Sequence, residues 1–70
     1  PADCDDLARR VGSHLRACYR HGEAGDYERA EAEATAAIRL DPASSDAYYL
    51  RGHARYCRGD YERAVEDYTE

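Results

Sequence analysis

Phenylalanine, tryptophan and methionine are absent from this 70-residue sequence, so any core must come from Leu, Ile, Val, Ala and seven tyrosines. A tyrosine buries its ring only where its hydroxyl keeps water or a partner, which places many of these rings at the edge of a core. Lysine, asparagine and glutamine are also missing; every basic residue is Arg, and the net charge is −5. Nucleic-acid recognition needs a clustered basic stripe, and arginines scattered over an acidic chain argue against it. No apolar run approaches the length of a membrane span, and no secretory leader is visible. A protein of the cytoplasm, with no membrane partner, is therefore expected. Three cysteines, Cys4, Cys18 and Cys57, are few and odd in number for a disulfide scaffold. They read as reduced thiols, two of them filling small gaps between helices.

Catalytic signatures are missing as well. There is no Gly-rich phosphate loop, no nucleophile elbow and no triad precursor. The abundant Asp and Glu read as solvated helix faces and caps. No enzyme and no cofactor are expected within these residues.

What the sequence does contain is a repeated string. Gly-Asp-Tyr-Glu-Arg-Ala occupies Gly25 to Ala30 and again Gly59 to Ala64, an offset of 34 residues. Self-similarity at a fixed period of this size is the signature of stacked repeats. The spacing of apolar residues supports helices throughout. Leu7, Val11, Leu15, Cys18 and Tyr19 form one stripe, and Asp3, Asp5 and Asp6 favour a helix start. Gly12 weakens that helix by about 1 kcal/mol relative to Ala. The helix is expected to end near His21 and Gly22.

Asp26 caps a second helix, carrying Tyr27, Ala30, Ala34, Ala37 and Ile38, and Asp41-Pro42 ends it. Ser44 or Ser45 starts a third helix, which runs to about Arg58. Gly59 turns the chain and Asp60 caps a fourth helix, with Tyr61, Ala64, Val65 and Tyr68 as its buried side. Nothing alternates with a period of two, so no strand is expected.

These residues resemble the tetratricopeptide repeat, a helix-turn-helix unit with the pattern W-x2-L-G-x2-Y, A-x3-F and a further Ala and Pro. In the second copy Tyr48 stands at the Trp place, Gly52 at the Gly, Ala64 at the Ala, and Tyr68 replaces Phe. In the first copy Ala30 holds the Ala place, Ala34 replaces the aromatic, and Ala37 and Pro42 complete the end. Arg51 stands where Leu is usual and Arg55 where Tyr is usual; Arg51 can lay its aliphatic stem along a groove. A strict offset puts Cys18 at the first Gly place and His21 at the Tyr place. A turn two residues longer would put Leu15 and Tyr19 in register instead, and that alternative is preferred because it keeps the apolar stripe continuous.

The resemblance implies an all-α fold in which four helices form antiparallel helix-turn-helix repeats stacked as a short right-handed solenoid. Residues 1–70 then make a single domain, with one repeat over about 5–42 and a truncated one over 43–70. With Pro1 first and a helical pattern running to Glu70, the sequence reads as a piece of a longer protein. Its last helix invites a further helix, a partner or self-association.

The resemblance also implies the function: a protein-interaction scaffold that binds a peptide or helix of another protein on its concave face. Asp46, Tyr49, His53 and Tyr56 recur on one side of the third helix, and Tyr19 joins them from the first. Arg51 and Arg55 flank them, and aromatic residues with Arg dominate binding hot spots. The repeat-packing set is Ala30, Ala34, Ala37, Pro42, Tyr48, Gly52, Ala64 and Tyr68. A structural or oligomerising segment, or a co-chaperone or regulatory arm of a larger protein, is the alternative. The clamp by which some relatives hold chaperone carboxylates uses Lys and Asn; its places here hold Leu15, Tyr19 and Leu50. A chaperone association would thus need repeats outside this sequence. His14 with Cys18 and His53 with Cys57 are spaced i, i+4, as zinc ligands on a helix can be, but such pairs arise easily by chance and no metal is expected.

Overall fold

Both copies of Gly-Asp-Tyr-Glu-Arg-Ala form the same corner in the computed structural model, which describes the backbone of residues 2–68 and the side chains of residues 6–68. Gly25 and Gly59 take φ values of 82° and 90°, a left-handed conformation that glycine enters without a Cβ clash. The Asp26 N–H donates to the His21 carbonyl and the Asp60 N–H to the Arg55 carbonyl, each at 2.8 Å. These corners join α1 (Ala2–Glu23) to α2 (Tyr27–Leu40) and α3 (Ser45–Cys57) to α4 (Tyr61–Tyr68). The side chains of Asp3, Cys4 and Asp5 lie outside the described residues.

The caps follow from local chemistry. The Asp26 carboxylate accepts from the Arg29 N–H, and the Ser44 hydroxyl oxygen accepts from the Ala47 N–H, satisfying donors that a helix start leaves open. Pro42 is exposed just past the C-cap Asp41, where it ends α2. No strand occurs among the described residues.

Two expectations about α1 need correction. The helix continues past His21 and Gly22 to Glu23, because the left-handed residue that stops it is Gly25. The first turn is not lengthened either. Glu23 and Cys57 close the two first helices at positions 34 apart, and the following corners are equal in length. Cys18, only 2% exposed, shares a core cluster with Ala30, Ala34 and Ala54, whereas Tyr19 is 60% exposed. Small size at the helix crossing outweighs continuity of the apolar stripe, so the strict offset holds.

The helices stack in order: α1 packs on α2, α2 on α3, α3 on α4, with a lighter contact between α1 and α3. The Cα envelope measures 41 × 25 × 12 Å, a slab about one helix diameter thick. Its core is built of small residues. Ala30, Ala34, Ala37, Ala47, Ala54 and Ala64 are buried, Val11 is the largest apolar residue among the buried ones, and Leu15, Ile38, Leu40 and Leu50 pack at the margin.

The fourth helix differs from its expected amphipathic pattern. Ala64 and Asp67 are buried, while Tyr61, Val65 and Tyr68 are exposed. Because α4 packs on α3 alone among the described helices, only a narrow strip of it is covered. At that contact a Cβ on Gly52 would lie 2.9 Å from the Tyr68 ring and 3.1 Å from the Asp67 Cβ, so the glycine permits the approach.

Candidate functional site

A groove runs between α1 and α3. One section, of about 530 Å³, is lined by Leu15, Arg16, Tyr19, Arg20, Asp46, Tyr49 and Leu50. The next, of about 350 Å³, shares Tyr19, Tyr49 and Leu50 and adds Gly22, Glu23 and His53. Its geometry follows from the 34-residue period, since Leu15 and Tyr49 occupy equivalent places on the two first helices. Half-buried Leu15 and Leu50 form an apolar floor, and the rings of Tyr19 and Tyr49 stand exposed above it. The Tyr19 hydroxyl is hydrogen-bonded to the Glu23 carboxylate, which raises its phenol above the ordinary value.

Four of the expected contact residues, Tyr19, Asp46, Tyr49 and His53, therefore line one groove. Tyr56 does not line it. Its ring packs edge-on against Tyr61 at 5.1 Å between centroids, near the α3–α4 corner. Tyr49 leans at the same time on Tyr68, with centroids 5.6 Å apart. Of the packing set, Ala30, Ala34, Ala37, Gly52 and Ala64 are buried, Tyr48 is half-buried, and Tyr68 and Pro42 are exposed.

Arg51 and Arg55 do not flank the groove as free cations. Arg51 grips Asp67 with two hydrogen bonds, Nε to Oδ2 at 3.1 Å and Nη2 to Oδ1 at 2.7 Å. Arg55 donates from Nη1 to Asp67 at 2.8 Å and from Nε to Glu31 at 2.7 Å, and Arg58 also donates to Glu31. The Asp67 side chain is 3% exposed and those of Arg51 and Arg55 are 17% and 14% exposed. The network ties α2, α3 and α4 together, so two of the acidic residues read as solvated are interior ion-pair partners.

Hydrogen bonding to Asp67 raises the Arg51 guanidinium above its ordinary value. Burial pushes the Glu31 carboxyl upward, but Arg55 and Arg58 outweigh it and hold the group below the usual range. Arg51 also stacks over the Tyr48 ring, 5.3 Å from its centroid. Sequence inspection had a clue to the network, since both arginines stand where the family pattern has apolar residues. The carboxylates that answer them lie 16 and 24 residues away, and no local spacing points to them.

The His/Cys pairs do not converge. His14 Nδ1 is hydrogen-bonded to Glu33 at 3.0 Å, and burial, ahead of the Glu33 charge, raises the Cys18 thiol. Cys57 is exposed, with its Sγ 3.9 Å from His53 Nε2. Among the described residues no group of three or more His, Cys, Asp or Glu could hold a metal ion, and no helix is long and apolar enough to cross a membrane.

Residues 33–66 match the family model of the tetratricopeptide repeat, a window that begins inside α2, spans α3 and ends within α4. No curated protein matches the chain.

Proposed function

Because the chain carries a tetratricopeptide repeat, a module of protein–protein interaction, we propose that its α1–α3 groove binds a peptide or helix of a partner protein. The observation carrying this reading is the convergence of Tyr19, Asp46, Tyr49 and His53, from two helices, over the floor made by Leu15 and Leu50. Aromatic residues on a rigid helical frame supply contact area at low entropic cost. The groove would serve a partner in the cytoplasm, with no catalytic step of its own.

The double substitution Tyr49→Ala with His53→Ala tests it. Both residues are exposed and Ala is the best helix former, so circular dichroism should be unchanged. Affinity for a partner captured on the wild-type protein should weaken by about 1–3 kcal/mol. Unchanged affinity would move binding to another surface, and unfolding would make the pair part of the core.

The exposed rings of Tyr61 and Tyr68 on α4 favour a second reading, an oligomerising or structural segment of a larger protein, including a co-chaperone or regulatory arm. Concentration-dependent association, abolished by Tyr61→Ser with Tyr68→Ser, would support it.

A further inference from the structure

We propose that the outer edge of α1 is a built-in stop: it refuses the α4 face of a second copy of this chain, and so keeps copies from joining head to tail. The 34-residue period creates that hazard. Because α1 and α3 are equivalent helices, α1 of one copy could take, on α4 of another, the place that α3 takes on α2. Such a contact repeats without closing, and contacts of that kind grow into open filaments. Tyr61, Val65 and Tyr68 lie exposed on α4 and offer it apolar surface.

The α2–α3 contact shows what a junction needs. Ala54 of α3 packs with Ala30 and Ala34 of α2 and Cys18 of α1, all at most 2% exposed, and Leu50 packs against them. Ala47 is buried beside Ala37. Arg55 and Arg58 of α3 hold Glu31 of α2.

Shifted by one period, a junction between copies would set Arg20 in the Ala54 place against Tyr68 in the Ala34 place, with Arg16 for Leu50 and Ser13 for Ala47. Two long side chains would share a space that two alanines fill, and a close-packed crossing does not admit them. Taking both guanidiniums out of water adds a cost that only well-placed carboxylates offset. The ionic tie vanishes too: His21 and Ala24 stand at the Arg55 and Arg58 places, and Val65 at the Glu31 place. Ser13, Arg16 and Arg20 are instead exposed, a polar outer face of the kind that keeps the end of a repeat stack soluble. Arg16 and Arg20 also border the groove, but so does Leu50 while it packs on its cluster. A closed pair of copies joined α4 to α4 does not involve this edge.

The test gives α1 the edge that α3 carries, by Ser13→Ala, Arg16→Leu and Arg20→Ala together. All three residues are exposed, so circular dichroism should show an unchanged helical signal. Arg20→Ala alone carries the same test if the triple variant loses that signal. In sedimentation velocity the wild-type mass should stay at monomer or stop at dimer. The variant's mean mass should rise by about twofold or more over roughly a hundredfold range of concentration, since open association follows mass action.

Added wild-type protein should then shorten the variant's oligomers. It can join a chain through its α4, but its own α1 accepts no further copy. Three results would overturn the proposal: unlimited growth of the wild-type protein, a folded variant that associates no more than wild type, or oligomers that wild-type protein does not shorten. The last would mark indiscriminate association of a more apolar surface.

Discussion

In the α1–α2 pair a thiol, Cys18, shares its cluster with Ala30 and Ala34, whereas in the α3–α4 pair the equivalent places hold Gly52, Ala64 and Tyr68. Medium meets small in one crossing, and nothing meets large in the other. The corners beside them share the same closing hydrogen bond at 2.8 Å, so the backbone repeats while facing side chains exchange volume between them, as close packing requires. Charge is divided differently again. The positions of Arg51, Arg55 and Asp67 in the first pair hold Ala17, His21 and Glu33, and Glu33, with its side chain 30% exposed, is hydrogen-bonded to His14. The second pair replaces a half-exposed contact with an interior ionic tie. One corner motif thus supports two kinds of interior, one held by small apolar residues and one by paired charge.

The largest effect should separate the two pairs at these equivalent carboxylates. Asp67→Ala leaves the largely covered Arg51 guanidinium without a carboxylate and Arg55 with Glu31 alone, and should cost about 3–5 kcal/mol, enough to unfold so small a domain. Glu33→Ala, at a more exposed site, should cost under about 1 kcal/mol. Urea denaturation of both variants checks the ordering, and equal losses would mean that the ionic tie is not what distinguishes the second pair. Next in size, Ala30→Leu and Ala64→Leu should each destabilise by about 1–3 kcal/mol, since both residues are 1% exposed and extra methylenes force the helices apart. A tolerated Leu at either place would show that its pair crosses elsewhere.

The smallest effect is on pH dependence. Glu31 titrates below its ordinary value in the fold because Arg55 and Arg58, opposing burial, favour its charged form. A carboxyl depressed in this way stabilises the fold above its unfolded-state pKa, and the contribution disappears as pH falls through the folded value. The urea midpoint should therefore fall on acidification through and below the usual glutamate range. Glu31→Gln should flatten that part of the profile, and an identical profile in the variant would detach the Glu31 ion pairs from stability.

Much of this architecture was legible because its signals are local. Asp26, Ser44, Gly59 and Pro42 act within a few residues of themselves, and the helix boundaries they set follow directly. The α1–α3 groove was legible in part through the period, which makes Leu15 and Tyr49 equivalent. Register at Cys18 was not, because the stripe through Leu15 and Tyr19 offers a continuous apolar face that only the crossing with Ala34 rejects. The roles of Asp67 and Glu31 were hidden for the same reason: a carboxylate reads as solvent-facing until the fold delivers an arginine from another helix. Tyr56 looked like its neighbour Tyr49 by helical spacing, yet the position of Tyr61 after the corner draws its ring away from the groove.

A double-mutant cycle between positions 52 and 68 tests the exchange of volume most directly. Gly52→Cys alone should destabilise the fold, because the new Cβ meets the Tyr68 ring at 2.9 Å. Tyr68→Ala alone should also destabilise it by removing a ring that packs against Tyr49. Together the two changes recreate the Cys18 and Ala34 combination of the first pair. Their combined cost should be smaller than the sum of the single costs by about 1 kcal/mol or more, within the range expected of residues in contact. Strictly additive losses would contradict the account, leaving Gly52 and Tyr68 as neighbours whose sizes are set independently.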